Sequence, residues 1–391
     1  MEENNKENNN KNKRKKIFFY FAVALVITGI VVFCLWFFYF RTHKSTDDAY
    51  VHGNMIELNA QVPGTVITIC AEETDFVKKD QILVELDPTN YVISLERAKA
   101  SLASQVRSVA NMFATCDALK AQLVEAESSY EIAKINYDNR APLVSSGAIS
   151  KEEFQHVTLQ LNGVTAELER VYEMLRAQEA LVGNTTIDNH PLVNEAKDRV
   201  RQAWVDLKRT KIVAPTDGYV GMRKVQLGES VSQQTPLLAV VPLNEIWINA
   251  NFKETQLSKM RIGQRAKMHA DIYGRSVTFT GSIVGLNPGT GNVFSILPPQ
   301  NATGNWIKII QRLPVRVSID SDTLDQHPLM LGMSMDVTID VSNKSGAVLS
   351  KASVSKPLYM TNVYARQEEG AELIIRDIIR ENIVDDGRAK R

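Results

Sequence analysis

Two similar stretches decide the fold, NAQVPGTVITICAEETDFVKKDQILVELD at 59–87 and VAPTDGYVGMRKVQLGESVSQQTPLLAVV at 213–241. They align without a gap at a constant offset, which matches Gly64 with Gly218. Each stretch reads as short strands separated by a glycine turn and a polar turn. Because each has one apolar face and is too short to bury it alone, we predict that the halves face each other in a small closed β-sandwich. Gly64 and Gly218 are the predicted structural turns.

The segment between the halves, 88–210, has a helical pattern. Asp87 is predicted to cap a helix that begins at Pro88. Apolar residues then recur every seven positions from Leu95 to Tyr137, which is typical of a coiled coil.

The helical pattern turns back at a predicted tip, 141–149, where Pro142 and Gly147 interrupt it. Ser150 begins a predicted capping box that opens the returning helix. The returning arm breaks at 183–190, as a joint or as a simple loop, and resumes to 210. Each arm has 53 helical residues, a reach of about 80 Å. We therefore predict a long antiparallel α-helical coiled-coil hairpin.

Alternating apolar residues follow in 242–345 and predict a small antiparallel β-barrel. The stretch 286–306, rich in Gly, Pro and Asn, is predicted to be a long surface loop. Residues 41–58 are predicted to be a linker with a barrel-proximal strand. The last segment, 346–391, should contain a short amphipathic helix. Its apolar residues are Leu373, Ile374, Ile378, Ile379 and Ile383.

The N-terminus is polarised. Residues 1–16 are basic and rich in Asn, and they are predicted to be a disordered cytoplasmic tail. Residues 17–40 carry no charge, and a helix of that length reaches about 36 Å, enough for a bilayer core of about 30 Å. The alternative, a cleaved signal peptide, would have a shorter apolar region and a small-residue cleavage site. We therefore predict an uncleaved single-pass transmembrane helix with the body outside the cytoplasm.

Several classes of chemistry have no support in the sequence. Lys plus Arg and Asp plus Glu both total 45, so a basic field for nucleic acid is absent. Three cysteines exclude a disulfide scaffold, and the histidines lack metal-binding spacings. A serine-hydrolase elbow fails at Asp336. The sequence predicts no catalytic, cofactor-binding or metal-binding residues, and no enzyme.

Four segments carry a family resemblance: TDDAYVHGNMIELNAQVPGTV (46–66), IVAPTDGYVG (212–221), NANFKETQLSKMRIGQ (249–264) and GTGNVFSILPPQNATGNWIKIIQRLPVRV (289–317). They resemble EmrA-type periplasmic adaptors, which are membrane fusion proteins of the HlyD superfamily. The resemblance implies a bacterial inner-membrane anchor, a periplasmic body and a role in multidrug efflux. It also implies two partners, an EmrB-like proton-driven major-facilitator transporter and a TolC-like outer-membrane channel. Several copies would be needed to enclose a conduit, so a homo-oligomer is expected.

Some adaptors of this superfamily carry an Arg–Leu–Ser pattern where the hairpin tip meets the channel. Arg140, Leu143 and Ser150 resemble that pattern, with Arg140 one position closer to Leu143 than the pattern has it. They are the candidate channel-contacting residues. The alternative for Ser150 is a helix cap, and the alternative for Arg140 is a solvated charge.

Two other functions share parts of this pattern. An adaptor for ATP-driven type I protein secretion would have the same anchor and fold. The paired halves also resemble the biotinyl/lipoyl domain, which suggests a carrier subunit of an enzyme. That reading is disfavoured because the carrier lysine sits on a hairpin joining the halves, whereas Lys78 and Lys79 lie inside the first half.

Overall fold

The computed structural model describes residues 2–291, 293, 310–351, 353 and 355–383, without the side chains of 2–15 and 38–41. The α-helices within these residues are α1 (Glu2–Thr42), α2 (Thr89–Ser145), α3 (Lys151–Val182), α4 (Pro191–Lys208), α5 (Glu254–Leu257), α6 (Ser321–Leu324) and α7 (Ala371–Asn382). The strands are β1 (His43–Thr46), β2 (Ala49–Gly53), β3 (Ile56–Asn59), β4 (Gly64–Ile69), β5 (Phe76–Val77), β6 (Ile82–Leu86), β7 (Lys211–Val213), β8 (Gly218–Arg223), β9 (Ser230–Val231), β10 (Pro236–Val241), β11 (Ile246–Lys253), β12 (Arg265–Ala270), β13 (Phe279–Leu286), β14 (Arg312–Val317) and β15 (Met335–Asp340). Two short 3₁₀ turns lie at Gly274–Ser276 and Tyr364–Arg366.

The two similar halves form one β-sandwich whose sheets exchange strands. One sheet has the order β3-β10-β8-β5 and the other has the order β7-β6-β4-β9. Each sheet therefore takes two strands from each half. In the sequence alignment of the two halves, each strand of the first half corresponds to a strand of the second. Apolar residues of both halves share one core, including Val66, Leu83, Val220 and Leu237. The prediction of a closed sandwich built from two halves is confirmed.

The first half of the sandwich begins earlier than predicted. β3 lies mostly within 41–58, predicted to be a linker with a barrel-proximal strand, yet it pairs antiparallel with β10 of the sandwich, Ile56 opposite Val240. The strand has only four residues and buries only Leu58, so its sequence pattern is too short to indicate a strand. The sandwich therefore starts at Ile56 rather than at Asn59.

The predicted glycine turns are strand starts. Gly64 opens β4 and Gly218 opens β8, and neither has the positive φ of a left-handed turn. Close approach explains the glycine at 218, since a Cβ there would lie 2.7 Å from the carbonyl oxygen of Val241. At Gly64 the corresponding neighbour is the Cβ of Leu86, at 3.3 Å.

The hairpin differs from the prediction at two points on its outgoing arm. α2 begins at Thr89, one residue later than predicted, because the Asp87 carboxylate accepts hydrogen bonds from the backbone N–H and hydroxyl of Thr89 in an Asx turn. These hydrogen bonds lower the pKa of Asp87. Pro142 was predicted to break the helix, but it lies inside α2, which continues to Ser145. An interior proline lacks an N–H donor and crowds the carbonyl four residues earlier. The turn after Pro142 is held by the Ser145 hydroxyl, which donates to the Pro142 carbonyl.

The seam between the arms follows the predicted periodicity. α2 and α3 bury residues at the predicted seam positions, and Tyr137 and Phe154 contact each other near the tip with ring centroids 5.3 Å apart. Gln178, a polar residue in the seam, donates to the Met112 carbonyl at 2.9 Å. The buried members are Leu95, Leu102, Val109, Cys116, Leu119, Ala126, Ala133, Val171, Leu175 and Val182.

The break at 183–190 is an internally bonded connection. His190 caps α4 by accepting the N–H of Leu192, and its other ring nitrogen bonds the Leu181 carbonyl. The buried Lys197 ammonium donates to the backbone carbonyl and the carboxylate of Asp188, at 2.7 and 2.6 Å. These bonds fix the returning arm where α3 gives way to α4.

The β-barrel is a seven-stranded antiparallel sheet of order β1-β15-β12-β13-β14-β11-β2. It closes where Tyr50 of β2 bridges Ser334, just before β15. The alternating pattern predicts barrel strands near 246–252, 277–285, 313–319 and 333–341 but not β12, in which small Ala266 and Ala270 give a weak apolar signal on either side of Met268. Residues 41–58, predicted to be a linker with a barrel-proximal strand, contain two barrel strands, β1 and β2. The predicted loop at 286–306 lies mostly outside the described residues.

The predicted amphipathic helix near the C-terminus is α7. Ile375 and Ile379 are buried against α2 and α4, in a cluster with Leu102 and Val200. Leu373, predicted to be on the apolar side, is 60% exposed. The docking of α7 on the root of the hairpin was not predicted.

The N-terminal helix α1 includes a stretch, Lys16–Phe37, that is long and apolar enough to cross a membrane. The tail predicted to be disordered is helical from Glu2 onwards. Once a helix is nucleated, each added residue gains a hydrogen bond, so the apolar helix extends into the polar tail.

Candidate functional site

The hairpin tip holds the three residues that the sequence singles out for channel contact. Arg140 and Leu143 lie on the last turns of α2, and Ser150 immediately precedes α3. The structure therefore brings all three to the same end of the hairpin. Leu143 is 41% exposed, although it is a large apolar residue.

A Schellman motif turns the chain at the tip. Gly147 adopts φ 73°, and its N–H donates to the Val144 carbonyl at 3.2 Å. The N–H of Ala148 donates to the Leu143 carbonyl at 3.1 Å. A glycine relieves the steric strain of this left-handed position, so Gly147 is the residue that allows so short a turn.

Both polar candidates at the tip have structural partners. The Ser150 hydroxyl accepts a hydrogen bond from the N–H of Glu153 at 3.0 Å and so caps α3. A helix cap was one of the two roles predicted for this residue. Arg140 donates to the side-chain oxygen of Asn136 at 3.3 Å. A hydroxyl can donate while it accepts, and a guanidinium has five donors. The tip therefore presents one exposed apolar side chain and two polar side chains that retain free hydrogen-bonding capacity.

The root of the hairpin, where α7 packs on α2 and α4, is a second assembly of functional interest that the sequence does not predict. Arg201 of α4 donates to Glu372 of α7 at 2.6 Å, and this hydrogen bond lowers the pKa of Glu372 and raises that of Arg201. Trp204 donates to the Glu369 carbonyl at 3.2 Å, and a Cβ on Gly370 would lie 2.9 Å from the Trp204 ring. The apolar pattern of α7 was visible in the sequence, but its partner was not.

Metal ligation finds no support in the described part of the chain, where no group of three or more His, Cys, Asp or Glu side chains could hold an ion. Cys34 and Cys70 are exposed and Cys116 is buried, and all three are free.

A membrane-length helix, a sandwich split by a long hairpin and a barrel together have the architecture of a membrane fusion protein. The family described as "EMRA, alpha-helical hairpin domain" matches residues 89–210. The Multidrug export protein EmrA of Escherichia coli (strain K12) is 41% identical over 347 residues, 89% of each chain. That of Haemophilus influenzae is 42% identical over 358 residues, 92% of each chain. These similarities show that the chain belongs to the EmrA family.

Among solved structures, one titled "Structure of the periplasmic adaptor protein EmrA" is similar at 21% sequence identity. The match covers 76% of this chain and 98% of the chain in that structure, with a TM-score of 0.38.

Proposed function

We propose that this protein is the periplasmic adaptor of a tripartite multidrug efflux system. The observation that carries the proposal is the way in which the hairpin is held. β6 leads into α2, α4 leads into β7, and these two strands pair with Glu85 opposite Lys211. The N–H of Leu86 also donates to the Thr210 carbonyl at 2.8 Å. Because both ends of the hairpin are fixed on one sandwich, it projects in a defined direction, as a bridge requires.

The dimensions of the hairpin support a bridging role. α2 has 57 residues, which correspond to about 85 Å at 1.5 Å per residue. The buried seam keeps the two arms together over this length, and the hairpin root is further supported by α7. α1 would hold the other end of the molecule in the inner membrane, with the N-terminus in the cytoplasm and the body in the periplasm.

The relatives support efflux as the process. Both relatives described above are named multidrug export proteins, and they align with this chain over about nine tenths of its length. The partners would be an EmrB-like major-facilitator transporter and a TolC-like channel, with Arg140, Leu143 and Ser150 contacting the channel. Several copies would surround the conduit. The protein itself would catalyse no reaction, and the transporter would supply the energy.

The two alternative functions have weaker support. An adaptor for ATP-driven type I secretion would share the anchor and hairpin, but the similarity to multidrug export proteins favours efflux. A lipoyl-type carrier would need a lysine on a tight hairpin joining the halves. Here the halves are joined through α2, α3 and α4, and Lys79 lies in a turn before β6, where its N–H donates to Asp217.

The bridging role can be tested by changing only the length of the hairpin. Deleting 117–123 from α2 and 167–173 from α3 removes one heptad from each arm and preserves the seam register. The shortened hairpin should be about 10 Å shorter, so drug resistance should be lost in cells that still insert the protein in the membrane. Resistance is measured in a strain lacking the natural gene.

The matched control restores length without restoring sequence. The same heptads are replaced in place by Ala, Glu and Lys, keeping the seam residues Leu119, Leu123, Leu168 and Val171. This variant should restore resistance. Full resistance in the shortened variant would refute the bridging role. Co-purification of the adaptor with a major-facilitator transporter, rather than an ATPase, would separate efflux from protein secretion.

A further inference from the structure

The barrel has a loop, 342–351, that lies where the membrane helix meets the body; we call it the basal loop. The N–H of Val341 donates to the Thr42 carbonyl at 2.8 Å, so the last residue of α1 bonds the residue that precedes the loop. β15 runs antiparallel to β1, with Asp340 opposite His43. Because β1 leaves the membrane helix, β15 runs back towards it, and the basal loop continues in that direction.

The distances place the loop at the bilayer surface. Thr42 lies two residues beyond Phe40, the end of the uncharged stretch of α1, which is about 3 Å along a helix. The polar layer on each side of a bilayer is about 5–7 Å thick. The Thr42 carbonyl therefore lies within that layer when α1 spans the membrane.

The basal loop is fixed to the barrel through its backbone. The buried Gln264 side chain donates to the Asn343 carbonyl at 2.6 Å, and the N–H of Ile262 donates to the Ala347 carbonyl at 2.9 Å. A Cβ on Gly346 would lie 2.1 Å from the Ile262 carbonyl oxygen. The loop therefore presents its side chains in a set orientation.

Those side chains are apolar and basic. Val348 is 47% exposed and Leu349 is 55% exposed, and exposed Lys344 and Lys351 flank them. Neither lysine forms an ion pair with the described carboxylates. No acidic residue occurs from 341 to 367 in the sequence. Apolar residues flanked by lysines are typical of a segment that binds at a membrane interface.

We propose that the basal loop is a second membrane contact, in which Val348 and Leu349 enter the interface of an anionic phospholipid bilayer and Lys344 and Lys351 bind lipid phosphates. A lipid partner is favoured over a protein because the loop adjoins α1 at the point where that helix leaves the bilayer, so lipid surrounding α1 already lies beside it. The contact rests on the proposed membrane anchorage, and it would fix the tilt of the body on the membrane.

The test uses the full chain in nanodiscs of phosphatidylglycerol and phosphatidylethanolamine, without a transporter. Cys34, Cys70 and Cys116 are replaced by Ser, Ser and Ala, and an NBD fluorophore is attached to Leu349→Cys. The matched control is Met360→Cys, which is 84% exposed and next to Thr361, whose hydroxyl bonds the Pro215 carbonyl of the sandwich. The fluorophore at 349 should be quenched by lipids with a nitroxide near the headgroup, and the fluorophore at 360 should not.

Charge reversal tests the lipid phosphates. Lys344→Glu with Lys351→Glu, on the 349 reporter, should reduce the ratio of bound to free loop by at least about fivefold for each lysine. The equal reversal of two exposed hairpin residues, Lys134→Glu with Lys151→Glu, should leave quenching unchanged. Discs of phosphatidylcholine alone should give weaker quenching than the anionic discs.

Three results would overturn the proposal. The first is equal quenching of positions 349 and 360 by aqueous iodide, with none by the nitroxide lipids. The second is lipid quenching that survives the reversal of both basal-loop lysines. The third is protection of position 349 only after a transporter is added, which would make the loop a protein contact. Failure of efflux with intact lipid quenching would count against the proposed function alone.

Discussion

At the scale of single residues, Gly64 and Gly218 occupy equivalent positions of the sequence repeat but have different neighbours. Both open equivalent strands, but the space around them differs. A Cβ at 218 would meet the backbone at Val241, whereas a Cβ at 64 would meet only the side chain of Leu86. Backbone atoms at a strand pair have less freedom to move than the side chain of a leucine.

We therefore expect Gly218→Ala to destabilise the sandwich by about 1–3 kcal/mol and Gly64→Ala to have a smaller effect. Hydrogen exchange of the β8 and β10 amides measures the change locally, which suits a chain with several domains. Equal protection in the two variants would contradict the role assigned to Val241.

The ion pair between Arg201 and Glu372 predicts a pH dependence of α7 docking. The hydrogen bond from Arg201 lowers the pKa of Glu372 in the folded protein. The stabilisation is therefore complete above the ordinary pKa of a glutamate, about 4.3, and is lost as the pH falls through the lowered value. The protection factors of the α7 amides, which compare the observed exchange rate with the intrinsic rate at the same pH, should therefore fall on acidification through this range.

Glu372→Gln should remove that acid-dependent component of α7 opening while retaining the helix. Glu381→Gln, a change of the same kind on the same helix, is the control and should behave like the natural protein. An unchanged pH profile in Glu372→Gln would show that another group controls the docking.

At the scale of elements, α7 is held mainly by its apolar side. Ile375 and Ile379 are buried against α2 and α4, while Leu373 on the same helix is 60% exposed. Ile375→Ala should destabilise the docked state of α7 by about 2–5 kcal/mol, and Leu373→Ala should change it by less than about 0.5 kcal/mol. Limited proteolysis after residue 366 measures the undocking, and similar cleavage of the two variants would contradict the observed packing.

The sequence predicted the long, periodic elements well and the short or tertiary ones poorly. The heptads of α2 and the repeat of the sandwich extend over many residues, so their pattern is clear without knowledge of the fold. β12 was missed because its inward residues are mainly alanines. The docking of α7 could not be predicted because amphipathicity reveals an apolar face but not what covers it. Channel contact by Arg140, Leu143 and Ser150 stays a prediction.

At the scale of the whole molecule, the hairpin requires that its two arms have matched lengths. The tip turn between Ser145 and Lys151 is closed by the hydrogen bonds of Gly147 and Ala148. It therefore has no spare residues that could compensate for a difference in arm length. Deleting 117–123 from α2 alone shortens one arm by about 10 Å. The tip-side seam must then shift by a heptad or separate.

We expect this one-arm deletion to make the tip half of α3 susceptible to protease, whereas the matched two-arm deletion stays resistant. Cleavage sites identified by mass spectrometry check the result. Equal resistance of both variants would mean that the seam does not determine the alignment of the arms.

The exchange of strands between the halves of the sandwich has a consequence for biogenesis. β3 pairs with β10, so the core that contains Val66 and Leu83 cannot close until residues near 241 have been synthesised. Contacts so distant in sequence form slowly. The residues of the hairpin are thus available to form helices before the sandwich is complete, and the synthesis of β10 sets the earliest moment at which the sandwich core can close.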